Sequence, residues 1–133
     1  MTTMKTIEAV AAVICDGKRI LATQRGYGES AGGWEFPGGK MEPGETPEEA
    51  LAREIREEMN ATIEIDRFLC TVENVMDVRY LVMHCYLVRI PDGHFELLEH
   101  SDARWVDGAT IDDVAWLPAD LKVVNQLKAQ GVV

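Results

Sequence analysis

Seven acidic residues fall between Glu42 and Glu58, and three of them, Glu54, Glu57 and Glu58, recur at helical i, i+3 and i+4 intervals. On a 3.6-residue helix Leu51, Ile55 and Met59 form one apolar stripe, and the three carboxylates lie along its edge. An acidic run is ordinarily a solvated helix face. Here the carboxylates converge beside a stripe that faces the core, where like charges repel unless something positive joins them. A hard divalent cation, Mg²⁺ or Mn²⁺, is the ligand that such an oxygen-rich, strongly negative cluster suits. Ahead of the helix, Gly38-Gly39 permits close backbone approach, and the Gly39 carbonyl offers a further oxygen.

The elements that must position these groups are readable locally. Thr46-Pro47-Glu48-Glu49 sets Thr at the N-cap, Pro at the first helical position and Glu at the third, a capping box. The helix is predicted over residues 47–59, with Asn60 as the residue that turns left-handed after it. Residues 7–15 are apolar, Asp16-Gly17 is a hairpin signal, and residues 19–24 form the return strand. Residues 26–33 hold four glycines and no periodicity, which predicts a loop. A short strand over residues 34–36 then runs into Pro37-Gly38-Gly39, expected to be too sharp to remain regular. Further strands are predicted over 62–70, 78–90 and 103–106, a turn at Pro91-Asp92-Gly93, a helical turn over 110–114 and a final helix over 118–130. The 133 residues make one domain, without repeat or linker, in the α/β class: a mixed β-sheet flanked by helices.

Composition narrows the partners. A formal net charge of −10 argues against a nucleic-acid polymer, whose tight binding depends on clustered cationic side chains. It leaves room for a small phosphorylated ligand bridged by a divalent cation. No apolar run is long enough to cross a bilayer, and the first five residues carry no long apolar leader. Cys15, Cys70 and Cys85 lack paired or metal-ligand spacing, so they read as reduced core residues of a cytoplasmic protein. No zinc cluster, P-loop, dinucleotide fingerprint or nucleophile elbow is present.

Written out, the acidic segment is Gly39-x5-Glu45-x7-Arg53-Glu54-Ile55-x-Glu57-Glu58. It resembles the signature of the Nudix hydrolases, with six fixed positions matched. A chance match somewhere in this chain has a probability on the order of 10⁻⁵ at average residue frequencies. The pattern usually continues with Gly and an aliphatic residue, where this chain has Asn60 and Ala61. The resemblance implies a Nudix-type α/β/α sandwich, in which Glu54, Glu57 and Glu58 ligate Mg²⁺ with help from the Gly39 carbonyl. Glu45 and Arg53 correspond to the pair that positions loop and helix. Glu54 is the first candidate for proton acceptor, with Glu99 the alternative.

Outside the signature, residues 20–25, 34–40, 96–105 and 117–120 are similar to the MutT-like branch, and especially to its CTP pyrophosphohydrolases. That similarity implies cleavage of a nucleoside triphosphate, CTP, dCTP or an oxidised nucleotide such as 8-oxo-dGTP, to monophosphate and pyrophosphate. It implies that Glu99 completes the metal site and that Asp120 contacts the base. An ionised Asp120 is acceptor-only and suits the amine of cytosine or the N–H edge of guanine equally. The competing reading of Asp120 is a charge favoured at a helix N-terminus. Arg25 is a candidate phosphate contact, and Phe36, Tyr80 or Tyr86 a candidate stacking partner. His84 and His100 receive no role. Two other readings stay open: a Nudix enzyme for ADP-ribose or a dinucleoside polyphosphate, and a nucleotide-binding module without turnover. A monomer and a homodimer are equally compatible with the sequence.

Overall fold

The computed structural model describes residues 4–133; Met1–Thr3, part of the segment read for a leader, lie outside the described residues. Its organising element is strand β1 (Lys5–Asp16), which is buried on both faces. Ala9, Ala11 and Val13 belong to one hydrophobic cluster, and the alternating Val10, Ala12 and Ile14 belong to another. A strand covered on both sides has no polar face, which is why this segment reads as one continuous apolar run.

β1 turns at Gly17 (φ 62°) into β2 (Arg19–Arg25) and runs parallel to β6 (Arg79–Arg89), from Lys5 opposite Arg79 to Ile14 opposite Val88. β5 (Glu64–Met76) lies antiparallel on β6 and forms the sheet edge. β2 carries β3 (Trp34–Glu35) and β7 (His100–Val106), and β4 (Gly38–Lys40) pairs antiparallel with β1. The seven-stranded mixed sheet has the order β3-β2-β1-β6-β5, with β4 on β1 and β7 on β2. Helix α1 (Pro47–Met59) covers one face through Ala50, Leu51, Ile55 and Met59. Helix α2 (Pro118–Ala129) covers the other through Ala119, Val123, Val124 and Leu127. The expected α/β/α sandwich is therefore observed.

The expected bounds shift at several places, four of which bear on the site or its sheet. Pro37-Gly38-Gly39 is more regular than its composition suggests, because Gly38 lies so close to the Val10 carbonyl that no Cβ would fit, and this lets β4 join β1. β5 continues past residue 70 to Met76, since Asp77 (φ 57°) makes the hairpin turn into β6 without a glycine. β7 starts at His100 rather than 103, and Phe36 falls just outside β3. The capping box at Thr46 and Glu49 and the left-handed Asn60 (φ 46°, ψ 43°) bound α1 as expected.

Ile55 and Leu127 are fully buried in opposite clusters. Ile55→Ala and Leu127→Ala should each cost about 2–5 kcal/mol of unfolding free energy, as large-to-small core changes do. Thr46→Ala should cost about 1 kcal/mol through the lost cap. Urea denaturation followed by circular dichroism measures all three.

Candidate active site

Glycine at position 39 decides how close strand and helix come. A Cβ there would sit 2.5 Å from the Glu54 carboxylate, so β4 and α1 meet at this distance only because the side chain is missing. Across that contact Arg53 acts as a fork. Its Nε and Nη2 donate to the two carboxylate oxygens of Glu45 at 2.7 and 2.9 Å, and Nη2 also donates to the Lys40 carbonyl at 3.1 Å. Nη1 donates to Glu54 Oε1 at 2.9 Å and to Glu57 Oε2 at 3.3 Å. Glu45 in turn accepts from the Glu42 N–H at 2.7 Å. Hydrogen bonds from Arg53 and that N–H hold the Glu45 carboxyl down to about 2. The guanidinium thus joins strand, loop and helix into one rigid corner.

One turn further along α1, Glu58 lies beyond that cation. Its side chain is 13% exposed, and Oε2 is buried without a hydrogen-bond partner. Burial first, and then the charges of Glu54, Glu99 and Glu35, push its pKa up to about 8. Burial likewise raises Glu54, opposed by Arg53 and reinforced by Glu57 and Glu99. Glu99 comes close because the preceding loop docks on the end of α1. The Glu96 and Leu98 N–H groups donate to the otherwise unpaired carbonyls of Met59 and Glu58, at 2.8 and 3.2 Å. Asn60, in the place where the signature usually has Gly, adds a side-chain bond to Glu96.

On the other side of Glu58 stands His100, whose side chain is 4% exposed. Its Nε2 is 3.5 Å from Glu35 Oε2 and 4.0 Å from Glu58 Oε2. Glu35 also accepts from Arg25 Nη2 at 2.7 Å. Burial opposes ionisation of Glu35, but His100 and Arg25 outweigh it and hold the carboxyl below its ordinary range. Neither Glu35 nor His100 stands out in the sequence, since only the β2–β3 and β2–β7 pairings bring them to Glu58.

These groups line two cavities with a common wall. A cavity of about 450 Å³ is bounded by Glu58, Glu99, His100 and Tyr27. A second, of about 670 Å³, is bounded by Met83, Leu81, Asn74, Phe36 and Asp120. Arg25, Glu35, Gly38, Gly39 and Lys40 line both. Asp120 reaches its cavity because residues 116–117 run beside β3: Trp34 N–H donates to the Ala115 carbonyl and Leu117 N–H to the Trp34 carbonyl. Its Oδ1 accepts from the Phe36 N–H at 2.9 Å, and burial raises its pKa to about 7 against that bond. Asp120 thus sits in the first turn of α2 and on the cavity wall at once.

The aromatic candidates fare less evenly. The Phe36 ring is 3% exposed and stacks on Trp116 at 4.5 Å, so it forms wall, with one face already covered. Tyr86 belongs to the cluster under α1 and donates to Glu48 at 2.6 Å, which takes it away from the larger cavity. Tyr80 has the same strand parity as Tyr86 and does not line that cavity. Cys70 and Cys85 are buried and Cys15 half-buried, all as free thiols.

The donor set fits a hard divalent cation. Glu58 has a buried, unpartnered oxygen, Glu54 and Glu99 add to its charge, and Gly39 leaves space against Glu54. Among the described residues, no three His, Cys, Asp or Glu side chains are already gathered to enclose an ion. Arg53 draws Glu54 and the exposed Glu57 toward itself instead.

A titration consequence follows. Glu58 carries a folded-state pKa of about 8, above its ordinary 4.5, so the metal-free fold holds its proton more tightly than the unfolded chain does. That stability is fully present below pH ~4.5 and is lost as pH rises through ~8. Asp120, raised to about 7, acts in the same direction. Metal-free protein should therefore lose Tm between pH 6 and pH 8.5, and Glu58→Gln should flatten the slope and raise Tm at pH 8.5. Differential scanning calorimetry in a chelator decides this.

Comparison with known proteins agrees with this geometry. The NUDIX domain family model matches residues 5–127. CTP pyrophosphohydrolase of Escherichia coli (strain K12) is 34% identical over 129 residues, 95% of this chain and 94% of that one. Putative 8-oxo-dGTP diphosphatase 2 of Mycobacterium tuberculosis (strain ATCC 25618 / H37Rv) is 37% identical over 116 residues, 84% and 80% of the two chains. The solution structure of the E. coli ORF135 protein superposes with a TM-score of 0.83 at 32% identity, covering 96% of this chain and 92% of that one. Family model, relatives and fold agree with the acidic helix: the chain belongs to the Nudix hydrolases.

Proposed function

We propose that this chain hydrolyses a nucleoside triphosphate to nucleoside monophosphate and pyrophosphate, using Mg²⁺ held by Glu54, Glu57, Glu58, Glu99 and the Gly39 carbonyl. The observation that carries the reading is the buried, unpartnered Oε2 of Glu58, beside a cavity that shares its wall with a second, more apolar one. Triphosphate belongs in the first cavity and base in the second. When bound, the cation neutralises phosphate charge and lowers the pKa of the attacking water. Mn²⁺ suits the same oxygens.

The chain's own residues do the rest. Glu45 and Arg53 hold α1 against β4, so that the carboxylates face the phosphates. Glu54, fixed by Arg53 and by Gly39, is the proposed proton acceptor, with Glu99 the alternative. Arg25, on the wall between the cavities, meets a phosphate oxygen. Phe36 supports the base pocket as wall, and its N–H orients Asp120 to receive an exocyclic amine. CTP, dCTP and an oxidised guanine nucleotide such as 8-oxo-dGTP all present such an amine, and the names of the E. coli and M. tuberculosis relatives favour this group of substrates.

No helix of the described residues is long and apolar enough to cross a membrane. With free thiols and strong net acidity, we place the enzyme in the cytoplasm, acting on free nucleotides rather than polymers.

Glu58→Gln should lower kcat/KM by at least about 10²-fold, as loss of a charge that holds a catalytic metal does. Unchanged activity would falsify the metal assignment. Measuring kcat/KM for canonical and oxidised nucleoside triphosphates, with ADP-ribose alongside, tests the substrate class. The reading expects a triphosphate to lead, and preference for ADP-ribose contradicts it. Asp120→Ala should cost the preferred triphosphate about 10- to 100-fold relative to one lacking the amine.

A further inference from the structure

The His100 side chain, 4% exposed, has no part in the metal or substrate binding proposed here. Its ring lies between two carboxylates, with Nε2 3.5 Å from Glu35 Oε2 and 4.0 Å from Glu58 Oε2. Glu35 has a second donor, because Arg25 Nη2 donates to its Oε1 at 2.7 Å, whereas His100 faces its Oε2. Glu58 Oε2 and His100 Nδ1 are the two buried side-chain polar atoms left without a partner among the described residues, and they belong to facing side chains. A histidine serving only as core packing would satisfy Nδ1 with a nearby backbone or side-chain group. With Nδ1 unpartnered, no hydrogen bond there opposes a movement of about an ångström that brings Nε2 within range of Glu58.

His100 is also placed by rigid parts. It opens β7 opposite Arg25, and the Glu99 carbonyl beside it lies 3.0 Å from where a Gly26 Cβ would sit. The backbone that carries His100 therefore has little freedom.

We propose that His100 is a positioning residue: its Nε2–H supplies a hydrogen bond to one lone pair of Glu58 Oε2, which fixes the carboxylate and leaves its remaining lone pairs for the cation. Nε2 shifts from Glu35 Oε2 toward Glu58 as the cation arrives, while Arg25 stays on Glu35 Oε1. A partner that fixes the orientation of a metal-holding carboxylate typically changes metal affinity by about 10- to 100-fold. The proposal rests on Glu58 being a metal ligand.

The test is Mn²⁺ binding by the nucleotide-free protein, with free Mn²⁺ counted by electron paramagnetic resonance and folding checked by circular dichroism. His100→Gln places an amide N–H near the Nε2 position, whereas the shorter His100→Asn reaches only the Nδ1 position. His100→Phe keeps volume and donates nothing. The expected result is a Kd within about 3-fold of wild type for His100→Gln, and at least about 10-fold weaker for His100→Asn and His100→Phe. Wild-type affinity in His100→Asn overturns the proposal, and so does equal weakening in His100→Gln and His100→Asn, which marks a purely structural role. If His100→Phe does not fold, the contrast between Gln and Asn decides alone. Glu58→Gln is measured alongside. If it too binds Mn²⁺ normally, the metal assignment has failed, and His100 falls with it. If only the histidine variants bind normally, the metal assignment stands and the His100 proposal is wrong.

Discussion

The corner formed by Arg53 is the interaction on which the rest of the site depends. One guanidinium binds Glu45 from the loop, the Lys40 carbonyl from β4 and Glu54 and Glu57 from its own helix. Its geometry requires Gly39, because any side chain there would collide with Glu54. Arg53 satisfies the near end of the acidic row and leaves the far end unsatisfied. Glu58, one turn on, is half-buried among Glu54, Glu99 and Glu35, and among the described residues no Lys or Arg pairs with it. Such an arrangement costs stability in the metal-free protein and matches what a divalent ion requires.

The same strand that meets Arg53 joins the two cavities. β4 lies on β1 at their shared wall, so one piece of backbone bounds both the cavity proposed for the triphosphate and the one proposed for the base. From the opposite layer, α2 sends Asp120 to the Phe36 N–H, 84 residues away in sequence. Asp120 and Glu58 therefore come from different helices on opposite faces of one sheet.

Much of this was legible because it is local. The capping box, the Leu51-Ile55-Met59 stripe and the spacing of Glu54, Glu57 and Glu58 all lie within one helix, where sequence interval and spatial neighbourhood coincide. The β1–β2 hairpin was equally plain from Asp16-Gly17. What escaped is what tertiary pairing creates. Residues 71–76 look polar, with Glu73 and Asn74 in the middle, yet they are held as strand by the long ladder to β6. Pro37-Gly38-Gly39 reads as a break, although its missing side chains are what allow a strand there. Glu35 and His100 carry no local signal, and they meet Glu58 only through pairings with β2. Glu99 was reached through family resemblance, whereas its physical cause is the docking of Glu96 and Leu98 on the carbonyl end of α1.

The central claim is that the unbalanced end of this carboxylate row is a cation site. A crystal soaked in Mn²⁺ tests it most directly, because anomalous scattering locates the ion without assumption about activity. The expected result is a peak bounded by Glu54, Glu57, Glu58, Glu99 and the Gly39 carbonyl, with oxygen ligands throughout. A peak elsewhere, or no peak at a Mn²⁺ concentration that supports hydrolysis, contradicts it.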